Sequence, residues 1–206
     1  MMRSGAFTLG LLAVLAAGCQ NTVRLDWETP KPAAKLSPVY VGSLSTDSRE
    51  PLGKDGARGE TVGKHTLTFL EIPGGSIHAD ANTPVGSSFD RAVREALRAA
   101  GLDPRPASEA PAGRAVLSAE IRQCHFWSYS VVGPLYFQRG EVEVGLRLQK
   151  PGGAIAWHRE CKETVRGVGF IANAGFDSLA KDAMTRLVAD LTRACSSAEF
   201  LAAAGE

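Results

Sequence analysis

The sequence has no apolar run approaching the about 20 residues that a membrane-spanning helix needs, no excess of either charge and no spacing of metal ligands. Lys and Arg number 23, Asp and Glu 22, in 206 residues, a net charge of +1, and no block of one sign stands out. A nucleic-acid binder carries a basic stripe. Without one, the expected partners are protein, lipid or glycan, and no nucleic acid. The four cysteines show neither Cys-x-x-Cys pairing nor a His-x-x-x-His companion, the spacings a zinc site uses, so neither metal nor cofactor is expected. The Gly-x-Ser-x-Gly elbow of a nucleophilic serine is missing as well. Gly63-Lys64-His65-Thr66 imitates the end of a phosphate loop, but Arg58 stands where the first glycine belongs and His65 where the hydroxyl residue belongs. No catalytic residue is assigned, and the chain is not expected to be an enzyme.

What is present begins at the N-terminus. Arg3 precedes an apolar stretch, residues 5–17, interrupted only by Thr8 and ending in Leu15-Ala16-Ala17-Gly18-Cys19. A basic start, a short apolar core and small residues at the end mark a secretory leader. The final residues resemble a lipobox, in which small side chains admit the peptidase and the Cys19 thiol takes the lipid. Residues 1–18 are therefore expected to be the leader, Cys19 the lipid-attachment residue, and residues 19–37 a lipidated N-terminus with a flexible tether broken by Pro30 and Pro32. One acyl chain binds a membrane marginally, whereas several hold stably. Gln20 differs from the Asp that favours inner-membrane retention in the enteric pattern, which points to the periplasmic face of the outer membrane. Trp27 fits either the headgroup level or a dock on the domain.

Residues 38–206 suit one domain with a full core. Val39-Tyr40-Val41 reads as a first strand, residues 45–63 as a loop, and residues 66–72 as a second strand ended by Pro73-Gly74-Gly75. A helix follows, with Thr83-Pro84 or Ser87-Ser88 to cap it, Phe89, Ala92, Val93, Ala96 and Leu97 at helical spacing, and Gly101 to stop it. Residues 102–113 hold three prolines and read as a connector. Three strands come next, 115–130, 136–150 and 154–165. The second alternates Val142, Val144, Leu146 and Leu148 with Glu141, Glu143, Gly145 and Arg147, one buried face and one wet face. Ile155 and Trp157 are expected opposite Leu148 and Leu146. The last helix starts near Asp177 and carries Ala180, Ala183, Met184, Leu187, Val188, Leu191, Ala194 and Cys195 on one stripe. The fold class expected is α+β, a two-layer domain in which a mostly antiparallel sheet has two helices packed on one face.

Several of these segments together carry a family likeness. They are the lipobox, Thr46-Asp47-Ser48-Arg49 after a strand, the helix from Phe89 to Leu97 followed by Gly101, the strand at 115–121, the turn and strand at 153–157, and the C-terminal amphipathic helix. Over residues 39–191 the chain resembles the YajG-type small bacterial envelope lipoproteins and, more loosely, proteins with a TolB N-terminal-like fold. The resemblance implies an outer-membrane lipoprotein without catalytic residues. The long 45–63 segment and the extra cysteines depart from it.

The remaining chemistry is sparse. His78 and Asp80 sit at a turn before the first helix, Cys124 and His125 are strand neighbours that point to opposite faces, and Glu141 with Glu143 read as solvating charges. In a simple meander the central strand separates Cys124 from Cys161 by about 10 Å, too far for a disulfide. The last helix is expected to carry Cys195 away from Cys161, so all three thiols should be free and buried. One end of the sheet is unusually apolar: Trp127, Tyr129, Val131, Val132, Leu135, Tyr136 and Phe137 lie there, with Phe170 and Ile171 in the segment after the third strand. Contiguous exposed apolar surface marks a partner or a membrane, so this end is the expected docking surface for an envelope protein or for lipid. The function these features imply is a lipid-anchored periplasmic adaptor or accessory subunit of an envelope assembly. The alternative is a carrier that binds lipid or glycan between helices and sheet.

Overall fold

The 17-residue strand β7 (Val116–Val132) organises the molecule. The computed structural model describes residues 21–50, 59–67, 72–132, 135–169 and 176–205. Ahead of β7 come β1 (Asn21–Val23), β2 (Ser37–Val41), β3 (Thr46–Asp47), β4 (Thr61–Leu67), β5 (Ile72–Ala79), α1 (Val85–Ala99) and β6 (Leu102–Pro106). After it come β8 (Leu135–Gln149), β9 (Ile155–Gly169), α2 (Phe176–Cys195) and α3 (Ala198–Gly205).

The meander β7–β8–β9 is antiparallel, as its alternation requires. The other edge of β7 is met in turn by β2, β3 and β4, with Tyr40 opposite Val116, Thr46 opposite Glu120 and Gly63 opposite Phe126, and all three run parallel to it. Beyond them β6 lies parallel to β2, β5 antiparallel to β4, and β1 parallel to β5. The sheet is therefore mixed, which corrects the expectation of a mostly antiparallel one. β2, β3 and β4 follow one another along β7 instead of forming hairpins with it. They are short and carry no clear alternation, so pairing with β7 rather than local pattern fixes them.

Several boundaries change with this topology. The strand expected at 66–72 is two strands: Thr66 and Leu67 end β4, and Ile72 begins β5. Pro73, Gly74 and Gly75 lie within β5, where Gly75 takes a φ of 105°. The loop expected at 45–63 contains β3 and the start of β4. The connector expected at 102–113 contains β6, an outer strand in which Pro104 and Pro106 are tolerated. In β9 the register is offset: Trp157 faces Leu148, and Ile155 faces Gln149 across a bulge, leaving Ile155 56% exposed. Helix α3 adds to the expected elements. Its start is capped by the Ser197 hydroxyl, which accepts from the Phe200 N–H at 3.2 Å, and Phe200 is buried edge-on against Trp157.

Residues 21–27 are no free tether. β1 extends the sheet, Val23, Leu25 and Trp27 are buried in the core, and the Trp27 indole N–H donates to Glu95 of α1 at 2.7 Å while Arg91 lies over its ring. Trp27 thus docks on the domain.

The two longer helices cover one face of the sheet. Phe89, Ala92, Val93, Ala96 and Leu97 of α1, and all eight expected stripe residues of α2, are buried. Burying a large aliphatic or aromatic side chain contributes about 1.5–3 kcal/mol, so these stripes hold the layers together. The cap of α1 comes from outside the helix: the Val85 N–H donates to the Glu60 carboxylate at 2.9 Å. Thr83 instead accepts from the Leu25 N–H. Gly101 ends the helix at a φ of 84°.

Candidate functional site

Register places the helix-free face of the sheet residue by residue. Trp127 lies opposite Arg139, and Arg139 opposite Arg166, while Lys64 of β4 pairs with Trp127. One row further along, Tyr129 lies opposite Phe137 and Phe137 opposite Val168. Tyr129 and Phe137 stack with ring centroids 5.5 Å apart, and Trp127 has the Arg139 guanidinium 5.0 Å from its centre and the His125 ring packed against it. Tyr129 is 39%, Phe137 37% and Val168 61% exposed.

Trp127, Tyr129 and Phe137 therefore lie together in one surface patch. Tyr136 is the strand neighbour of Phe137 and so points to the opposite face. Val131, Val132 and Leu135 occupy the strand ends at the β7–β8 tip. Phe170, Ile171 and Cys19 lie outside the described residues. Sequence reasoning missed Arg139, Arg166 and Lys64, which join the patch only once β4 is known to run beside β7.

Behind the patch the same face carries an ion-pair ladder. Arg147 meets Glu120 at 3.0 Å, Lys162 meets Glu143 at 3.2 Å, and Arg122 pairs with Glu160. Glu141 is buried, pairs with Arg139 and accepts from the Gln123 amide at 2.9 Å. Glu141 and Glu143 are thus neutralised by long cations, not merely solvating. The Arg122 guanidinium lies over Gly145, where a side chain would displace it.

The helix-covered face holds nothing comparable. Cys124, Cys161 and Cys195 are free and buried. Burial pushes the Cys124 and Cys195 thiols up to about 12, and Cys161 is raised as well, first by burial and then by Asp190. None can supply a thiolate near neutral pH. Cys195 is near enough to Cys161 to raise it, so the last helix does not carry the two apart as expected. His78 bonds Thr61, and Asp80 accepts from Asn82 in a turn, so the two are not a catalytic pair. His65 and the Ser128 hydroxyl meet at 2.7 Å, but both are buried, with Phe176 edge-on to the imidazole. That contact is a filled core position. The described cleft between β9 and the helices measures about 180 Å³ and is lined by Arg159, Asp190, Arg193 and Glu199 around Trp157. Its charge does not suit an acyl chain. Among the described residues no cluster could hold a metal ion.

Burial holds the His65 and His125 imidazoles below their ordinary value of 6.5. The unfolded chain takes up protons near that value while the folded rings resist them. Stability is therefore expected to fall as pH drops below about 6.5 and to be unaffected by these groups above it. Urea midpoints measured from neutral to mildly acidic pH should show the decline, and His65→Gln should flatten it. A His65→Gln profile parallel to that of the parent chain would refute the assignment.

No protein-family model matches the chain, and no curated protein matches it in sequence. The fold is similar to that of protein XCC0632 from Xanthomonas campestris, of family DUF330, with a TM-score of 0.50 and 12% identity, over 83% of this chain and 91% of that one. Weaker likenesses run to a candidate lipoprotein from Caulobacter crescentus, with a TM-score of 0.35 and 15% identity, over 57% of this chain and 81% of that one. A PelC dodecamer from Paraburkholderia phytofirmans gives 0.33 and 17%, over 77% of this chain and 93% of that one. Of these three, only the first reaches a score at which the folds correspond, and at its identity it speaks to the fold alone.

Proposed function

We propose that this chain is a non-enzymatic lipoprotein of the bacterial envelope, held at the periplasmic face of the outer membrane by a lipid on Cys19 and acting as an adaptor or accessory subunit of an envelope assembly. The observation that carries the reading is the helix-free face of β7–β8–β9. Among the described residues no element covers it, although it presents an ordered ladder of Glu120, Arg122, Glu143, Arg147, Glu160 and Lys162 and an exposed aromatic end. A charged sheet face alone can simply face water; exposed apolar side chains at its end are what mark a contact surface. The lipobox at Cys19 and the resemblance to YajG-type lipoproteins support the same placement.

A photo-crosslinking residue at Glu160, which projects from the ladder, tests the adaptor role in living cells. A discrete protein adduct is expected. Failure to capture any protein from this position, with the chain folded and in its membrane, would retire the adaptor reading. Mass spectrometry of the N-terminal peptide separately tests the lipid on Cys19.

A further inference from the structure

The end of the sheet that carries the aromatic patch is divided sharply by charge. Lys64, Arg139 and Arg166 lie in one cross-strand row with Trp127. Beyond that row no described strand residue is charged: β4 finishes with His65-Thr66-Leu67, β7 with Ser128 to Val132, β8 begins Leu135-Tyr136-Phe137-Gln138, and β9 ends Gly167-Val168-Gly169. A neutral rim with Trp and Tyr, backed by cations, is the order of groups that a protein presents to a bilayer interface. Aromatic rings settle at headgroup level, and Lys and Arg meet anionic headgroups.

The direction of β1 says which occupant this end has. Asn21 pairs with Ile77, Ile77 with Gly63, Gly63 with Phe126, and Phe126 with Gly140. Asn21 is therefore one row behind the cations. β1 runs parallel to β5 and so antiparallel to β7, and its N-terminal end points toward the aromatic rim. Cys19 precedes Asn21 by two residues, a span of at most about 7 Å. The described chain thus begins at the same end of the sheet as the patch, two residues after the lipid-bearing one.

We infer that the charge-free rim of β7–β8–β9, with Trp127, Tyr129, Phe137 and Val168, seats on the bilayer that receives the Cys19 lipid, and that Lys64 and Arg166 face its anionic headgroups while Arg139 stays paired with Glu141. The inference rests on the lipid anchor of the proposed function. It assigns the aromatic end to lipid and leaves the ladder for protein.

The test uses the lipidated chain in vesicles of phosphatidylethanolamine and phosphatidylglycerol, with an environment-sensitive fluorophore on Val168→Cys or on Ile155→Cys at the opposite end of β9. The three native thiols are buried, so the label goes to the introduced cysteine. The Val168→Cys label should shift to the blue and be quenched by nitroxide-bearing acyl chains, and the Ile155→Cys label should do neither. Equal behaviour at both ends would overturn the seat while leaving the anchor intact. A discrete protein adduct from a photo-crosslinker at Val168 in cells would overturn it in favour of a protein partner. A chain recovered without lipid on Cys19 would overturn the anchor itself, and the N-terminal mass distinguishes that case. In an unlipidated Cys19→Ser chain, Lys64→Glu with Arg166→Glu should weaken vesicle binding by roughly tenfold or more, and unchanged binding would remove the cationic row from the assignment.

Discussion

Replacing Gly63 with alanine is expected to cost about 3 kcal/mol or more and to detach β4 from β7. A Cβ built on Gly63 would fall inside the backbone carbonyl of Phe126, and backbone held in a central strand cannot step aside as a flexible side chain can. Gly63 also sits at a register shift between β4 and β5, where a strand bends and its twist increases. The strand it positions brings His65 to Ser128 and Lys64 to Trp127, so the aromatic row loses one of its cations with the same substitution. At Gly86, in the first turn of α1, a Cβ would meet nothing within 4 Å, and there alanine should stabilise slightly through helix propensity. Urea denaturation of the two variants side by side is the measurement. Equal midpoints would show that the close approach at Gly63 does not constrain the fold.

A loss of about 3 kcal/mol is expected for Arg49→Ala, because one partner of a largely buried ion pair disappears. Arg49 is 6% exposed and bridges two segments. Its guanidinium donates to both carboxylate oxygens of Asp47, at 2.9 and 2.8 Å, and to the carbonyls of Gly59 and Thr61. The hydrogen bond from Arg49 is the main cause holding the Asp47 carboxyl below its ordinary value of 3.8. The pair's contribution is therefore present above that value and lost as pH falls below it. Glu60, between the two carbonyls, caps α1, so loosening this turn also frays the helix start. Lysine has the charge without the fork, and Arg49→Lys should recover only part of the loss. Full recovery in thermal denaturation would mean that charge alone, not the bridging geometry, matters here.

Legibility followed the distance over which each feature is determined. The meander and the two helix stripes are local patterns: the alternation at Val142–Leu148 and the spacing from Ala180 to Cys195 are decided by burial on one side, and the sequence displays both. β3, β6 and the β7-facing edge of β4 are fixed by partners more than ten residues away, and residues such as Thr46-Asp47 or Leu102-Asp103-Pro104 carry no periodicity of their own. The same limit applied to the surface site. Trp127, Tyr129 and Phe137 drew attention because charge is missing around them, whereas Lys64 and Arg166 are ordinary surface cations until register sets them in one row. Glu60 as a helix cap had no signal at all, because it lies 25 residues from the amide it caps.

The parallel tiling of β7 also bears on the order in which the chain can fold. β2, β3 and β4 are made before β7, yet each depends on β7 for an edge. As the chain is made N-terminus first, those segments appear before their shared partner. The β1–β5, β4–β5 and β2–β6 pairings can form before β7 exists, but they are small separate pieces, and isolated strand pairs are marginal in water. The complete sheet must then wait for β7, and non-local pairing of this kind is slow. The topology thus leaves β2, β3 and β4 without an edge until β7 is available, so the centre of the sheet closes as one late event rather than strand by strand.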